Sequence, residues 1–167
     1  MDPSQRLVPA DVPPASGAQS GPVAFDPILV PCLAQEHRDM LALVESIRSR
    51  FRQARYGEIP TQLSRLQASL EAHLLNERLR LHGYLEHSLA GDPRRLARVR
   101  ESLGEAGRLA LRVKELVERV RQEAPGPGNA AELLARIQAL REDLGSRFEK
   151  EERQIYPLYP TPEPAHP

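Results

Sequence analysis

Proline is concentrated at the two ends of this chain and is sparse in its middle. Seven of the 16 prolines lie at or before Pro31, and five lie at or after Pro157. Proline in a helix interior removes a hydrogen bond and clashes with the preceding turn, so each inner proline predicts a break between helices. The inner prolines stand at three places and divide the middle into four segments; they are Pro60, Pro93, Pro125 and Pro127.

Each of the four segments carries apolar residues at spacings of three and four, which is typical of a helix with one buried face. No segment alternates apolar and polar residues over a useful length, so no strand is expected. Helices joined by short proline and glycine turns favour an all-α fold, an up-down-up-down antiparallel four-helix bundle, over one long coiled coil. The predicted helices span residues 30–55, 61–89, 93–123 and 130–157.

The two ends differ from the middle in composition. Residues 1–28 are rich in proline, alanine, serine and glycine, and residues 160–167 are rich in proline. Both are predicted to be disordered tails, because such segments bury too little apolar surface to fold. The bundle is predicted to occupy residues 29–159 as a single domain.

The composition excludes several classes of function. The 23 basic and 23 acidic side chains cancel, which argues against direct binding to nucleic acid. A single cysteine rules out an internal disulfide and a cysteine zinc cluster. No apolar run reaches the roughly 18 residues of a membrane span, and no signal-peptide pattern is seen, so a cytoplasmic protein without a membrane partner is expected. No nucleophile triad, phosphate loop or dinucleotide motif occurs, so no enzymatic activity is predicted.

Five polar residues interrupt the apolar stripes on the inner faces of the predicted helices. They are His37, His73, Glu77, Arg147 and Glu151. Counted from the shared loops at about 1.5 Å per residue, all five fall within about two turns of one level in the bundle. Two other histidines, His82 and His87, lie off the inner stripe and are predicted to be solvent-exposed.

These residue types suit a metal site. His73 and Glu77 are four residues apart, so both side chains leave one helix face. With His37 and Glu151 they would offer two nitrogen and two oxygen ligands, a set that suits iron, manganese or zinc. The alternative is a buried polar layer in which histidine and glutamate pair with Arg147 and no metal binds.

Three local motifs resemble those of one known family. The first helix contains LAQEHRDMLAL around His37, the second contains HLLNE from His73 to Glu77, and the fourth contains RFEKEERQIYP from Arg147 onward. Together they resemble the hemerythrin-like family, the HHE cation-binding bundles, over about residues 31–159. In members of the intact type, the resemblance implies two carboxylate-bridged irons that bind or sense dioxygen or buffer iron.

The chain departs from this family at one of the two irons. The family has histidine where this chain has Arg147, and it has histidine on the third helix where this chain has alanine and glycine. The resemblance therefore leaves the ligands of a single iron, namely His37, His73, Glu77 and Glu151. It implies a metal-binding or sensory and regulatory module with a mononuclear iron or no cofactor. Its implied partners are a metal ion and dioxygen or another small oxidant.

A second resemblance concerns only the stretch from Arg147 to Ile155, which is similar to the last helix of the Rsd/AlgQ anti-sigma proteins. In that family the histidine and glutamate of the second helix are spaced differently from His73 and Glu77. This resemblance implies an alternative function, a metal-free helical interaction protein that regulates transcription through a protein partner.

Arg147 carries the sharpest structural expectation. A guanidinium stays protonated and cannot ligate a metal, and inside a helical core it needs carboxylate partners. We predict that Arg147 crosses the bundle centre to pair with Glu77 or Glu151, in the place and with the charge of a second iron. In the alternative, it extends outward along the helix to solvent. The room for the inward position is expected from small residues of the third helix, namely Gly104, Ala106, Gly107 and Ala110.

Overall fold

The computed structural model describes residues 23–159, and within them the chain forms four long helices and no strand. Helix α1 spans Leu29–Arg52, α3 spans Pro93–Gln122 and α4 spans Ala130–Gln154. Helix α2 is continuous but has three parts, an α-helical Ile59–Asn76, a π-helical Glu77–His82 and an α-helical Gly83–Ser88. The predicted all-α architecture is confirmed.

The four helices pack in a ring. Each helix contacts its neighbours in sequence, and α1 closes the ring against α4. The connections, residues 53–58, 89–92 and 123–129, are short, which makes consecutive helices antiparallel neighbours. None of the helices within residues 23–159 is both long enough and apolar enough to cross a membrane.

Two aliphatic clusters form the core, one in each half of the bundle. The larger cluster fills the half near the 53–58 and 123–129 loops and includes Val44, Ile47, Leu66, Val113 and Ile137. The smaller cluster fills the other half and includes Leu29, Leu33, Leu81, Leu85 and Tyr156. Buried polar side chains lie between them, so a polar layer crosses the bundle near its middle.

The last residues of the predicted N-terminal tail pack on the bundle. Residues 1–22, which make up most of the predicted N-terminal tail, lie outside the described residues. So do residues 160–167, the whole of the predicted C-terminal tail. Residues 23–28, also assigned to the tail by composition, lie against the bundle. The Phe25 ring stacks on Tyr159 at a centroid separation of 5.0 Å, and the Asp26 backbone N–H donates to the Tyr159 hydroxyl at 2.8 Å. One aromatic side chain therefore extends the ordered domain beyond its predicted boundary.

The small residues of α3 only partly face the core, contrary to expectation. Gly104 and Gly107 are exposed, whereas Leu109 and Ser102 are buried and face the core. The expectation that four small residues make room for Arg147 is therefore wrong for the two glycines, and the small residue that contacts the guanidinium is Ser102. Helix α3 carries leucines on two adjacent faces, so periodicity alone does not determine which face turns inward.

The start of α3 is capped by Asp92. Its side-chain oxygen accepts a hydrogen bond from the Arg95 backbone N–H at 3.1 Å, and Pro93 occupies the first helical turn.

Replacing Asp92 by alanine leaves that N–H without its partner, so we expect the unfolding free energy to fall by about 1 kcal/mol in urea denaturation. Asp92→Asn keeps a capping oxygen and should lose only about 0.3 kcal/mol. An equal loss in both variants would contradict this assignment of the cap.

Candidate metal centre

The polar layer contains side chains from all four helices. Helix α1 contributes one, α2 contributes three, α3 contributes one and α4 contributes two. All are at least 94% buried; they are His37, His73, Glu77, His82, Ser102, Arg147 and Glu151. The aliphatic clusters on either side hold this layer away from water, which strengthens every electrostatic interaction inside it.

Two histidines and one glutamate converge on a single point of the layer. The Nε2 atom of His37 lies 3.2 Å from the Nε2 atom of His73 and 3.5 Å from Oε2 of Glu151. One ligand atom from each of the three residues lies within 4.8 Å of the other two. Three of the four residues that sequence analysis proposed as ligands therefore form one compact set.

Each histidine of this set is oriented from behind by a carboxylate. The Nδ1 atom of His37 lies 2.9 Å from Oε1 of Glu152, and the Nδ1 atom of His73 lies 2.7 Å from Oε2 of Glu36. A carboxylate only accepts hydrogen bonds, so each Nδ1 carries the hydrogen and each Nε2 of a neutral ring presents a lone pair to the interior. Metal-binding histidines are commonly oriented in this way. Sequence analysis missed Glu36 and Glu152, whose only signal was their position next to a candidate ligand.

Two aromatic side chains complete the surroundings of His37. The Phe148 ring stacks on the imidazole at a centroid separation of 3.8 Å and an interplanar angle of 9°. The Tyr156 hydroxyl lies 3.1 Å from Nε2 of His37. Burial raises the pKa of Tyr156, so its hydroxyl keeps its proton and serves as a donor at this point. Sequence analysis assigned no role to Tyr156.

Arg147 extends into the layer and lies beside both inner carboxylates. Its guanidinium forms an ion pair with Glu151, lies 3.6 Å from Oε2 of Glu77, and donates to the Ser102 carbonyl oxygen at 2.8 Å. Glu77 therefore lies next to the His37, His73 and Glu151 set rather than inside it, and faces Arg147. The guanidinium joins α2, α3 and α4 at one level.

The two inner carboxylates differ in their electrostatics. Burial raises the pKa of Glu77 well above its usual value, and the nearby charge of Glu151 raises it further. Burial acts on Glu151 in the same direction, but the contact with His37 and the charge of Arg147 outweigh it and lower its pKa. Of the two carboxyl groups, Glu77 therefore holds a proton more strongly, and Glu151 carries the negative charge.

His82 lies inside the bundle, contrary to the prediction that it is solvent-exposed. Its relative exposure is 1%, and its Nε2 atom lies 4.0 Å from Oε1 of Glu77. The π-helical segment is the physical reason, because it brings residues five apart onto one face and so turns His82 to the side of Glu77. The only signal in the sequence was a histidine five positions after a candidate ligand. His87 is exposed, as predicted.

The donor set fits a divalent cation. Within residues 23–159, five of the eight buried side-chain polar atoms that lack a hydrogen-bond partner belong to this layer. They are Oε1 of Glu77, Oε2 of Glu151, Nε of Arg147 and both ring nitrogens of His82. Oε2 of Glu151 is the one among them that belongs to the His37, His73 and Glu151 set. Buried polar atoms are rarely left without partners, and two imidazole nitrogens with a carboxylate oxygen are suitable ligands for iron, manganese or zinc.

Comparison with known proteins identifies a cation-binding family. A family model described as Hemerythrin HHE cation binding domain matches residues 29–159, which is more than half of the chain. Comparison with curated proteins and with solved structures gave no match.

The ion pairs of Arg147 lead to a prediction about stability. Arg147→Ala removes the cation between two buried carboxylates, so we expect the unfolding free energy of the metal-free protein to fall by about 3–5 kcal/mol. Arg141→Ala is the matched control, because that guanidinium is 45% exposed and lies 3.8 Å from Glu45. It should cost less than about 1 kcal/mol. Similar losses in the two variants, measured by urea denaturation with a chelator present, would contradict a structural role for the buried pairs.

The burial of His82 leads to a prediction about pH. Burial lowers the pKa of His82 from 6.5 to about 4, so on acidification the unfolded chain takes up a proton before the folded chain does. The stability from the neutral ring is complete above pH 6.5 and is lost as the pH falls toward 4. With a chelator present, we expect the native protein to lose about 3 kcal/mol more than His82→Asn across this range. Parallel pH profiles for the two proteins would show that His82 is not buried in its neutral form.

Proposed function

The chain belongs to the hemerythrin HHE cation-binding family, and from that premise we propose that it is a metal-binding module with a single-metal centre. His37, His73 and Glu151 would hold the ion, and Glu77 lies beside them as a further carboxylate. The family and the ligand types favour iron, with manganese and zinc as chemically suitable substitutes.

One observation carries this proposal. Glu152 and Glu36 engage the rear nitrogens of His37 and His73, so the front nitrogens face each other at 3.2 Å beside the Glu151 carboxylate. Three electron-rich atoms then share one space, which is unfavourable unless a cation lies among them. A metal ion would satisfy all three at once, and the carboxylates that orient its histidine ligands are already in place. The alternative cation is a proton on Nε2 of His37, which would make this a metal-free polar layer.

The single-metal character follows from Arg147. Its guanidinium lies between Glu77 and Glu151, where a second ion would need those same oxygens. A fixed positive charge at this distance repels a divalent ion, and the guanidinium has no lone pair to offer it. We therefore expect the chain to hold at most one metal ion.

We propose a sensory or regulatory role for the centre, with dioxygen or another small oxidant as its ligand. Bound iron would supply redox chemistry and an open coordination position. The Tyr156 hydroxyl, next to His37, holds a proton where a small polar ligand would lie. The described grooves at this level reach the outer sides of His37 and His73, where Glu152 and Glu36 are 42% and 40% exposed. This arrangement favours a small ligand over a large substrate, so we propose no enzymatic turnover.

Metal analysis after anaerobic reconstitution with ferrous iron tests the proposal. The native protein should bind about one iron per chain after removal of excess metal. His73→Asn removes a ligand and should bind less than about a tenth as tightly. His87→Asn is the matched control, since His87 lies on the same helix but is exposed, and it should bind iron as the native protein does.

A folded native protein that takes up no iron, manganese or zinc would overturn this function. The metal-free alternative, an interaction protein of the anti-sigma type, would then be the candidate to test by capture of a purified sigma factor.

A further inference from the structure

The outer face of α2 carries a stripe of exposed apolar side chains. Its members recur at spacings of four, three and four, and each follows a residue of the buried inner face by two positions; they are Ala68, Ala72, Leu75 and Leu79. Two positions correspond to about 200° around a helix, so the stripe lies opposite the inner face. Leu75 and Leu79 are 57% and 58% exposed, and they are two of the four large hydrophobic side chains that are exposed within residues 23–159.

The spacing of this stripe is that of a seam between two packed helices. Alternating steps of three and four residues keep apolar side chains on one line along a helix, as in a coiled coil. The line runs for about 17 Å, from Ala68 to Leu79. Single exposed leucines are ordinary on a protein surface, whereas a continuous apolar line marks a surface that packs against a partner. Helix α2 therefore has one apolar side for the bundle and a second that nothing in the described part of the chain covers.

Two charged residues of opposite sign lie along one edge of the stripe. Glu71 directly precedes Ala72, and Arg78 directly precedes Leu79, so both lie on the same side of the line. Both are exposed, and neither forms an ion pair within residues 23–159; Glu71 accepts a hydrogen bond from the Gln67 amide at 2.7 Å. They are about 10 Å apart along the helix axis, which is too far for them to pair with each other. Their charges are therefore available to a partner.

The stripe complements a second copy of itself in side-chain size. When two copies of α2 pack antiparallel about a point midway between Ala72 and Leu75, each Ala72 lies opposite Leu75 of the partner subunit. The same axis places each Ala68 opposite Leu79 of the partner subunit. Small side chains then face large ones along the whole line, which allows close packing. A parallel pairing would place alanine against alanine and leucine against leucine.

The same antiparallel arrangement pairs the charges. The midpoint between Glu71 and Arg78 lies within about one residue of the midpoint of the stripe, so the flanking charge of one copy faces the opposite charge of the other. The contact occurs twice, because Glu71 meets Arg78 of the partner subunit and Arg78 meets Glu71 of the partner subunit. Such reciprocity is what a two-fold contact between identical chains requires.

We propose that the outer face of α2 is a dimerisation surface, and that its partner is the same face of a second copy of this chain, packed antiparallel about a two-fold axis. The apolar stripe forms the seam, and two ion pairs between Glu71 and Arg78 border it. The inference goes beyond the proposed function and does not depend on a bound metal. One pair of short helix segments buries less than the roughly 800 Å² per partner of a standard interface, so the dimer should be weak and its fraction should rise with protein concentration.

Sedimentation equilibrium of the full chain, with a chelator present, tests the seam. The average mass of the native protein should rise from the 18.7 kDa of one chain toward twice that value as the concentration is raised through the micromolar range. Leu75→Glu places a charge in the seam twice over and should weaken the dimer by at least about tenfold. Leu111→Glu is the matched control, because Leu111 is 60% exposed but lies in the groove between α3 and α4, and it should leave the dimer unchanged.

Exchange of the two charges tests the antiparallel arrangement. Glu71→Arg and Arg78→Glu, each alone, bring like charges together twice and should weaken the dimer by about fivefold. The double variant Glu71→Arg/Arg78→Glu restores both ion pairs with an unchanged net charge, so it should dimerise as the native protein does. An equimolar mixture of the two single variants should form heterodimers, because every flanking charge then faces one of opposite sign.

Every contrary result would overturn the dimer. A native protein that stays monomeric up to millimolar concentration does not use the stripe to bind a second copy. A dimer that survives Leu75→Glu, with the variant shown to be folded by circular dichroism, is held by another surface. Failure of the double charge exchange to recover the association lost in the single variants would exclude the reciprocal contact. Because the chelator is present throughout, none of these results alters the proposed metal-binding function.

Discussion

The packing of this bundle depends on the balance of charge in its polar layer, where Arg147 supplies the positive charge. Two glutamates, each at most 1% exposed, reach the bundle centre from opposite helices. Burial of a carboxylate without a partner is costly and two side by side repel each other, so the pKa of Glu77 is raised and the negative charge lies on Glu151. The guanidinium between them, held also by the Ser102 carbonyl, neutralises that charge and links three helices. The aliphatic clusters can pack on both sides only because the layer is neutralised internally.

Glu151 divides its carboxylate between two environments. One oxygen engages Arg147 and Ser102, and the other faces the imidazoles of His37 and His73. The ion pair of Arg147 and the histidine pair are therefore joined through one side chain. The guanidinium supplies the positive charge that the buried Glu151 carboxylate needs.

The π-helical segment of α2 shows how a small change of backbone geometry alters a site. It adds one residue to a turn, so the apolar periodicity that correctly predicts the rest of α2 gives the wrong side for His82. A local sequence pattern carries little information about such a turn, because its stability comes from what the turned residues contact across the bundle. The same reasoning applies to α3, where leucines on two adjacent faces leave the rotation to be decided by packing.

The sequence by itself determined the four helices, their order and the level at which the polar residues meet. These depend on local properties, namely where proline breaks a helix, the spacing of apolar residues and the length of each connection, and the motifs around His37, His73 and Arg147 indicated the family. Only the tertiary structure decided the inward turn of His82, the face that α3 presents and the packing of Phe25 on Tyr159. It also decided the two partners of Glu151. These features depend on contacts between residues far apart in the chain, and on the cost of leaving buried charge unpaired, which no local pattern records.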